Sequence, residues 1–139
     1  MAIKYFRQKR KIAINSVAQD RYIAKIQREV PVGFEDLAEM IEKRSTLTRG
    51  DLLGVFAEME DIASEMFEQG HPLKLGYFGN FYPTIVAESV ETPEEVTTKT
   101  IKRFKLIYKP SVYMKKRLEK VKFVLGDNTV REVHYKNKK

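Results

Sequence analysis

The sequence predicts an α+β fold, a helical middle flanked by β-rich ends. Three observations carry this. Apolar residues recur at helical spacing over 34–43 and again from Leu52 to Phe67. They alternate with polar residues at Ile3 and Tyr5, at Tyr22, Ala24 and Ile26, and at Phe104, Leu106 and Tyr108. The changes of period coincide with chain breakers: Pro31 and Gly33, Gly70 and Pro72, and Pro110.

Each element follows in order. The N-terminal alternation suggests two short strands separated by a basic loop, Arg7 to Lys11, which makes 1–30 a β extension. Phe34, Leu37, Ala38 and Ile41 place a short amphipathic helix over 34–43. Thr48 has the chemistry of an N-cap, with Asp51 three residues on as an aspartate form of the capping box. The helix that follows carries Leu52, Phe56, Met59, Ala63 and Met66 on one stripe, widened by Leu53, Val55, Ile62 and Phe67. So broad an apolar surface exceeds what one short helix covers and hints at dimerisation. Gly70 and Pro72 end it. Leu73, Leu75 and Tyr77 restart a period of two, with Gly76 and Gly79 allowing a sharp bend. Val86 to Val96, with Pro93 and four glutamates, reads as an exposed excursion. A strand through Phe104 and Tyr108 ends at Lys109-Pro110-Ser111, and a helix with Val112, Leu118 and Val121 follows. Residues 123–139 read as a basic C-terminal hairpin or tail around a Gly126-Asp127-Asn128 turn signal.

Composition narrows function. The chain has 139 residues, 26 Lys+Arg, 19 Asp+Glu and a formal charge of +7. That balance favours anionic partners such as nucleic acid. Residues 1–30 carry +6, 31–70 carry −7 and 71–139 carry +8, so a positive face is expected apart from a negative one. Cysteine is absent, which excludes disulfides, thiol catalysis and cysteine zinc sites. No apolar run reaches membrane-spanning length and the first residues lack a hydrophobic signal core, so a soluble intracellular protein is expected. No phosphate-binding glycine loop, nucleophile elbow or zinc-binding helix motif occurs, and Gly76 and Gly79 do not make a dinucleotide fingerprint. His71 beside a helix end reads as capping or surface, and His134 as part of a terminal tail. Glu58, Asp61 and Glu65 share a helix face, an arrangement far more often solvated than metal-binding. No catalytic residues, metal or cofactor are expected.

The order of elements resembles the bacterial histone-like HU/IHF DNA-bending family. The resemblance rests on Gly70-His71-Pro72-Leu73-Lys74-Leu75, on Gly76-Tyr77-Phe78-Gly79-Asn80-Phe81, and on Phe104 through Lys109-Pro110. It covers 34–122, about two-thirds of the chain. The added N-terminal strands and acidic excursion are similar to a longer, divergent branch of these proteins. The resemblance implies an intertwined homodimer over 31–122, with a helical base, a β-sheet and extended β-arms that reach into the minor groove. It places the arm at about Thr84–Arg103 and a wedge between base steps at Pro93. It makes the glycines, Phe78 and Phe81 structural residues of the dimer core. It implies a cytoplasmic, nucleoid-associated protein.

The charges depart from that pattern. The family's arms are rich in arginine and lysine, whereas the tip here is Glu91-Thr92-Pro93-Glu94-Glu95. Carboxylates beside phosphates repel, and counterion release needs cations. The cations lie instead at Lys99, Lys102, Arg103, Lys105 and Lys109 on the returning strand, and at Lys115, Lys116, Arg117 and Lys120 on the last helix. These are the expected DNA contacts, with Arg7, Lys9, Arg10 and Lys11 as a secondary set. Tyr108 shares a strand face with Phe104 and Leu106 and is better read as packing than as a base-stacking platform. The leading expectation is a homodimeric architectural protein that binds duplex DNA largely without sequence preference. The rival is a dimeric structural or interaction module whose acidic arms dock on a protein partner. The same basic surface would also suit RNA or a single strand.

Overall fold

A computed structural model describes residues 1–133 of the chain; His134 lies outside the described residues. The chain divides into two compact units, Met1–Pro31 joined by the chain from Glu119 onward, and Val32–Leu118.

The first unit is a three-stranded sheet in the order β2-β1-β6, with β1 Ala2–Ile14, β2 Val17–Ile26 and β6 Lys122–Glu132. β1 and β2 pair antiparallel from Tyr5–Ile26 to Ile14–Val17. Asn15 and Ser16, at φ 51° and 64°, form the two-residue turn, because a primed turn matches strand twist and needs positive φ at both positions. Arg7 to Lys11 is therefore no loop, and it lies inside β1. A run of cations resembles a loop in sequence, but on a sheet their long stems lie along neighbouring chains while the charged heads stay in water. β6 runs parallel to β1 on its other edge. The Gly126-Asp127-Asn128 signal does not turn a hairpin. It makes an irregularity inside one strand, where Tyr5 pairs with Leu125 and Arg7 with Val130. Asp127 holds this kink by accepting hydrogen bonds from the backbone N–H and the hydroxyl of Thr129. Residues 122–132 thus belong to the same sheet as the N-terminal strands and are not a separate tail.

The second unit begins with α1, Phe34–Glu42, and α2, Arg49–Glu68. The Gly33 N–H donates to the Asp36 carboxylate at 3.0 Å. The reciprocal box at α2 is present: the Asp51 N–H donates to the Thr48 hydroxyl at 3.2 Å, and the Thr48 N–H donates to the Asp51 carboxylate at 3.3 Å. Phe34 of α1 stacks on Phe56 of α2 with ring centroids 4.8 Å apart. Ala38 and Leu52 are the buried apolar side chains among the described residues. Gly70, at φ 84°, lets the chain leave α2.

A second sheet follows, in the order β3-β4-β5, with β3 Leu73–Lys74, β4 Gly79–Ala87 and β5 Ile101–Pro110. Gly76–Phe78 forms a 3-10 turn between β3 and β4. Two side chains clamp that turn. The Tyr108 hydroxyl donates to the Phe78 carbonyl at 2.6 Å, and the Ser111 hydroxyl donates to the Tyr77 carbonyl at 2.5 Å. Tyr77 and Tyr113 rings meet at 4.5 Å. The Gly76–Phe81 run is thus a structural junction. The last helix, α3, is Val112–Leu118, shorter than the sequence suggests, so Val121 and Lys120 lie beyond it.

Gly79 sits at φ 122°, and a Cβ there would overlap the Lys109 carbonyl and approach the Pro110 Cα at 2.8 Å. Gly79→Ala should lower stability by about 1–3 kcal/mol from backbone strain alone, with the steric overlap adding to it. Thermal unfolding followed by circular dichroism checks this, and an unchanged midpoint would contradict it.

Candidate nucleic-acid interface

Strand alternation sorts the side chains of β5. Phe81, Pro83 and Ile85 of β4 stand opposite Tyr108, Leu106 and Phe104, so these six share one apolar face. The Phe81 ring lies 5.1 Å from Tyr108 and 6.4 Å from Phe67 of α2, so this face turns towards α2. Arg103, Lys105 and Lys109 stand opposite Val86, Thr84 and Asn80 on the other face. The Lys109 ammonium lies 5.4 Å from the centre of the Tyr82 ring, which holds it on that face. None of these three cations takes part in an ion pair among the described residues.

The other cations of the set are placed differently. Lys102 sits at the irregularity between Val86 and Ala87, and its ammonium lies 3.7 Å from the Glu88 carboxylate. Lys99 lies in a 3-10 turn, Thr98–Thr100. Lys115, Lys116 and Arg117 fill the last turn of α3, where cations also favour the helix dipole. Lys120 follows the helix and falls in the first unit. The structure thus brings Arg103, Lys105 and Lys109 onto one surface and leaves Lys102 partly neutralised.

The ladder between β4 and β5 ends at Ala87–Ile101 and is closed by the Glu88 N–H donating to the Thr100 carbonyl at 2.9 Å. Beyond it the chain makes two 3-10 turns, not paired strands. Pro93 begins the first, Pro93–Glu95, and the Thr92 hydroxyl donates to the Glu95 carboxylate at 3.0 Å. Glu91, Glu94 and Glu95 are exposed. The tip is acidic in space as it is in sequence.

The N-terminal set is split by the same alternation. Arg7, Lys9 and Lys11 lie on one face of the first sheet, opposite Ala24, Tyr22 and Asp20. There Lys9 is 3.3 Å from Glu132 and 3.6 Å from Asp20. Its hydrogen bond to Glu132, with the charges of Asp20 and Glu132, holds the ammonium pKa above the usual lysine value. Arg10 lies on the opposite face with Arg21 and Lys25. Sequence reasoning missed Arg21, Lys25 and Arg131 as companions of Arg10. Their parity along β1 and β2 was the available signal, hidden while Arg7 to Lys11 read as a loop.

The remaining candidates are structural or solvated. The His71 N–H donates to the Met66 carbonyl at 2.9 Å and so closes the end of α2. Among the described residues no group of three or more His, Asp or Glu side chains is placed to hold a metal, Glu58, Asp61 and Glu65 included. No described helix is long and apolar enough to cross a membrane.

The fold has a solved counterpart. A protein from Bacteroides vulgatus ATCC 8482, provisionally assigned as a bacterial DNA-binding protein, superposes with a TM-score of 0.58 at 9% identity over 91% of this chain. This chain spans 50% of that protein's length. Among curated proteins none matches. A family model does match residues 1–124, covering both the N-terminal strands and the segment with the glycine junction and basic strand: HU-HIG, an HU domain fused to a winged helix-turn-helix, immunoglobulin or glycine-rich motif. On that match the chain belongs to the HU-HIG family.

Proposed function

We propose that the chain is a homodimeric, histone-like DNA-binding protein that neutralises the duplex backbone largely without regard to sequence. The observation that carries this is the row Arg103, Lys105 and Lys109 on one face of β5 with no carboxylate paired to it among the described residues. Arg103 and Lys105, at alternate strand positions, stand roughly 6.6–6.8 Å apart, and Lys109 follows beyond Ile107, a spacing that meets phosphates without reading bases. Membership of an HU-containing family supports the same partner, and such a role would place the protein with the nucleoid in the cytoplasm. Lys99, Lys102, Lys115, Lys116 and Arg117 extend the contact in this reading, and Lys120 is a separate contact of the first unit.

The apolar residues support the dimer. Phe104 is 56% exposed and Leu106 43% exposed, and Val55, Met59 and Ile62 of α2 are exposed too. Exposed apolar side chains in such number, on both α2 and β5, are what an interface would cover. A second copy is the natural cover, and doubling the chain doubles the basic row. Bending is a weaker feature. Pro93 could wedge only with cations to hold it, and its neighbours are Glu94 and Glu95.

The acidic tip favours a second reading, in which the exposed Glu91, Glu94 and Glu95 dock on a basic protein partner and DNA binding is weak.

Fluorescence anisotropy of a short labelled duplex tests the first reading. Binding should be similar for unrelated sequences and fall steeply with salt. Arg103→Gln with Lys105→Gln should weaken it about tenfold or more at moderate salt and reduce the logarithmic salt slope by about two per copy, up to about four for the dimer. Unchanged binding would remove this row from the interface. A single strand or RNA bound more tightly than duplex would redirect the partner.

Replacing Glu91, Glu94 and Glu95 with glutamine should raise duplex affinity several-fold as repulsion falls. Unchanged affinity combined with loss of a protein partner would favour the docking module. In sedimentation, the unmodified chain should run as a dimer and Leu106→Asp as a monomer that is less stable. A monomeric unmodified chain would overturn the dimer.

A further inference from the structure

We infer that the basic face of the β2-β1-β6 sheet is a second docking surface for the phosphate backbone of duplex DNA. This rests on the reading that the chain binds DNA, and it concerns a different unit from the β5 row.

The pairing register places Arg10 directly opposite Arg21, with Lys25 two pairs along the same face, opposite Phe6. Arg131 of β6 joins that face, its guanidinium 4.2 Å from the centre of the Phe6 ring. The chain then places Arg28 at the rim of a shallow depression shared with Arg10, Lys25 and Arg131. Among the described residues, none of Arg10, Arg21, Lys25 or Arg28 has an ion-pair partner, and Asp127, 3.6 Å from Arg131, is the carboxylate that reaches the group.

Like charges directly opposite in an antiparallel pair repel. An anion lying across Arg10 and Arg21 relieves that repulsion. On the opposite face of the same sheet the central cation is engaged from within, since Lys9 is held by both Asp20 and Glu132. The other face carries Arg10, Arg21 and Lys25, none of them in an ion pair among the described residues. Arg10 is also oriented in advance: its Nε–H donates to the Gln8 side-chain carbonyl at 2.9 Å, which leaves the outer guanidinium nitrogens for a ligand. The part of the guanidinium that can grip a phosphate with two bonds is the part kept free.

The geometry favours a duplex over unpaired bases. A single strand needs open aromatic rings for stacking. Phe6 is the aromatic side chain on this face of β1, and Arg131 covers its ring. What remains is a field of cations suited to backbone contact.

Arg10→Gln, Arg21→Gln and Lys25→Gln combined should weaken duplex binding about tenfold or more at moderate salt. The logarithmic salt slope should fall by about two to three per copy that contacts the duplex. Lys9→Gln, on the other face and already held by Asp20 and Glu132, should change affinity less than about twofold. A triple variant that also stays within twofold would overturn the proposal. Lysine acylation of the unmodified protein, read by mass spectrometry, needs no folded variant. Duplex should slow modification of Lys25 and leave Lys9 as reactive as in the free protein, and an unprotected Lys25 would overturn the proposal.

The β5 variant, run in parallel, separates the two ideas. If the unmodified chain fails to bind duplex at low salt, the DNA-binding reading falls and this surface with it. If binding responds to Arg103 and Lys105 but not to Arg10, Arg21 and Lys25, only the second surface falls. Tighter binding of a single strand through Lys25 would overturn the duplex assignment.

Discussion

The backbone ladder is the constraint on which the rest depends. A strand side chain has only two directions, and pairing fixes which residues share one. In β5 the ladder puts Phe104, Leu106 and Tyr108 on one face and Arg103, Lys105 and Lys109 on the other. In β1 it separates Arg10 from Arg7, Lys9 and Lys11. A slip of one residue would exchange every assignment, so register and function are tied together. The register of β4 and β5 is in turn secured at Gly79, which faces the end of β5 too closely for any side chain.

Packing within the chain is sparse, and this shapes everything above the backbone. Helix caps at Gly33 and Thr48 start α1 and α2, and the stack of Phe34 on Phe56 holds the two together. Ala38 and Leu52 are buried, while much of the broad apolar surface of α2 and of β5 is exposed. Hydrophobic burial is the main favourable contribution to folding. A chain that leaves so much of it undone by itself has a strong thermodynamic reason to associate, and association would bring two basic rows into one particle.

Electrostatics then separates two kinds of cation that composition counts alike. Lys9, Lys102 and Arg131 are engaged by Glu132 and Asp20, by Glu88, and by Asp127. Arg103, Lys105, Lys109, Arg10 and Arg21 have no carboxylate partner among the described residues. A cation already paired releases little when a phosphate arrives, because the exchange replaces one anion with another. In the proposed reading the unpaired ones carry the salt-sensitive attraction. The acidic tip at Glu91, Glu94 and Glu95 would oppose it locally.

Local chemistry was legible in the sequence wherever neighbours in the chain settle the outcome. The capping box at Thr48 and Asp51, the stop at Gly70 and the alternation of β5 all depend on residues within a few positions of one another, whereas the glycine junction around Phe78 is held by Tyr108 and Ser111 from far along the chain. The first three could be read without the fold. The partner of a strand could not, because pairing joins residues far apart in the chain. That is why Arg7 to Lys11 looked like a loop until β2 and β6 flanked it, and why Gly126-Asp127-Asn128 looked like a hairpin turn until β1 ran beside it. The sequence by itself determined the α+β class, the basic balance and the identity of the charged residues. The tertiary structure alone decided which cations share a face and which meet a carboxylate, since both depend on strand register between distant segments.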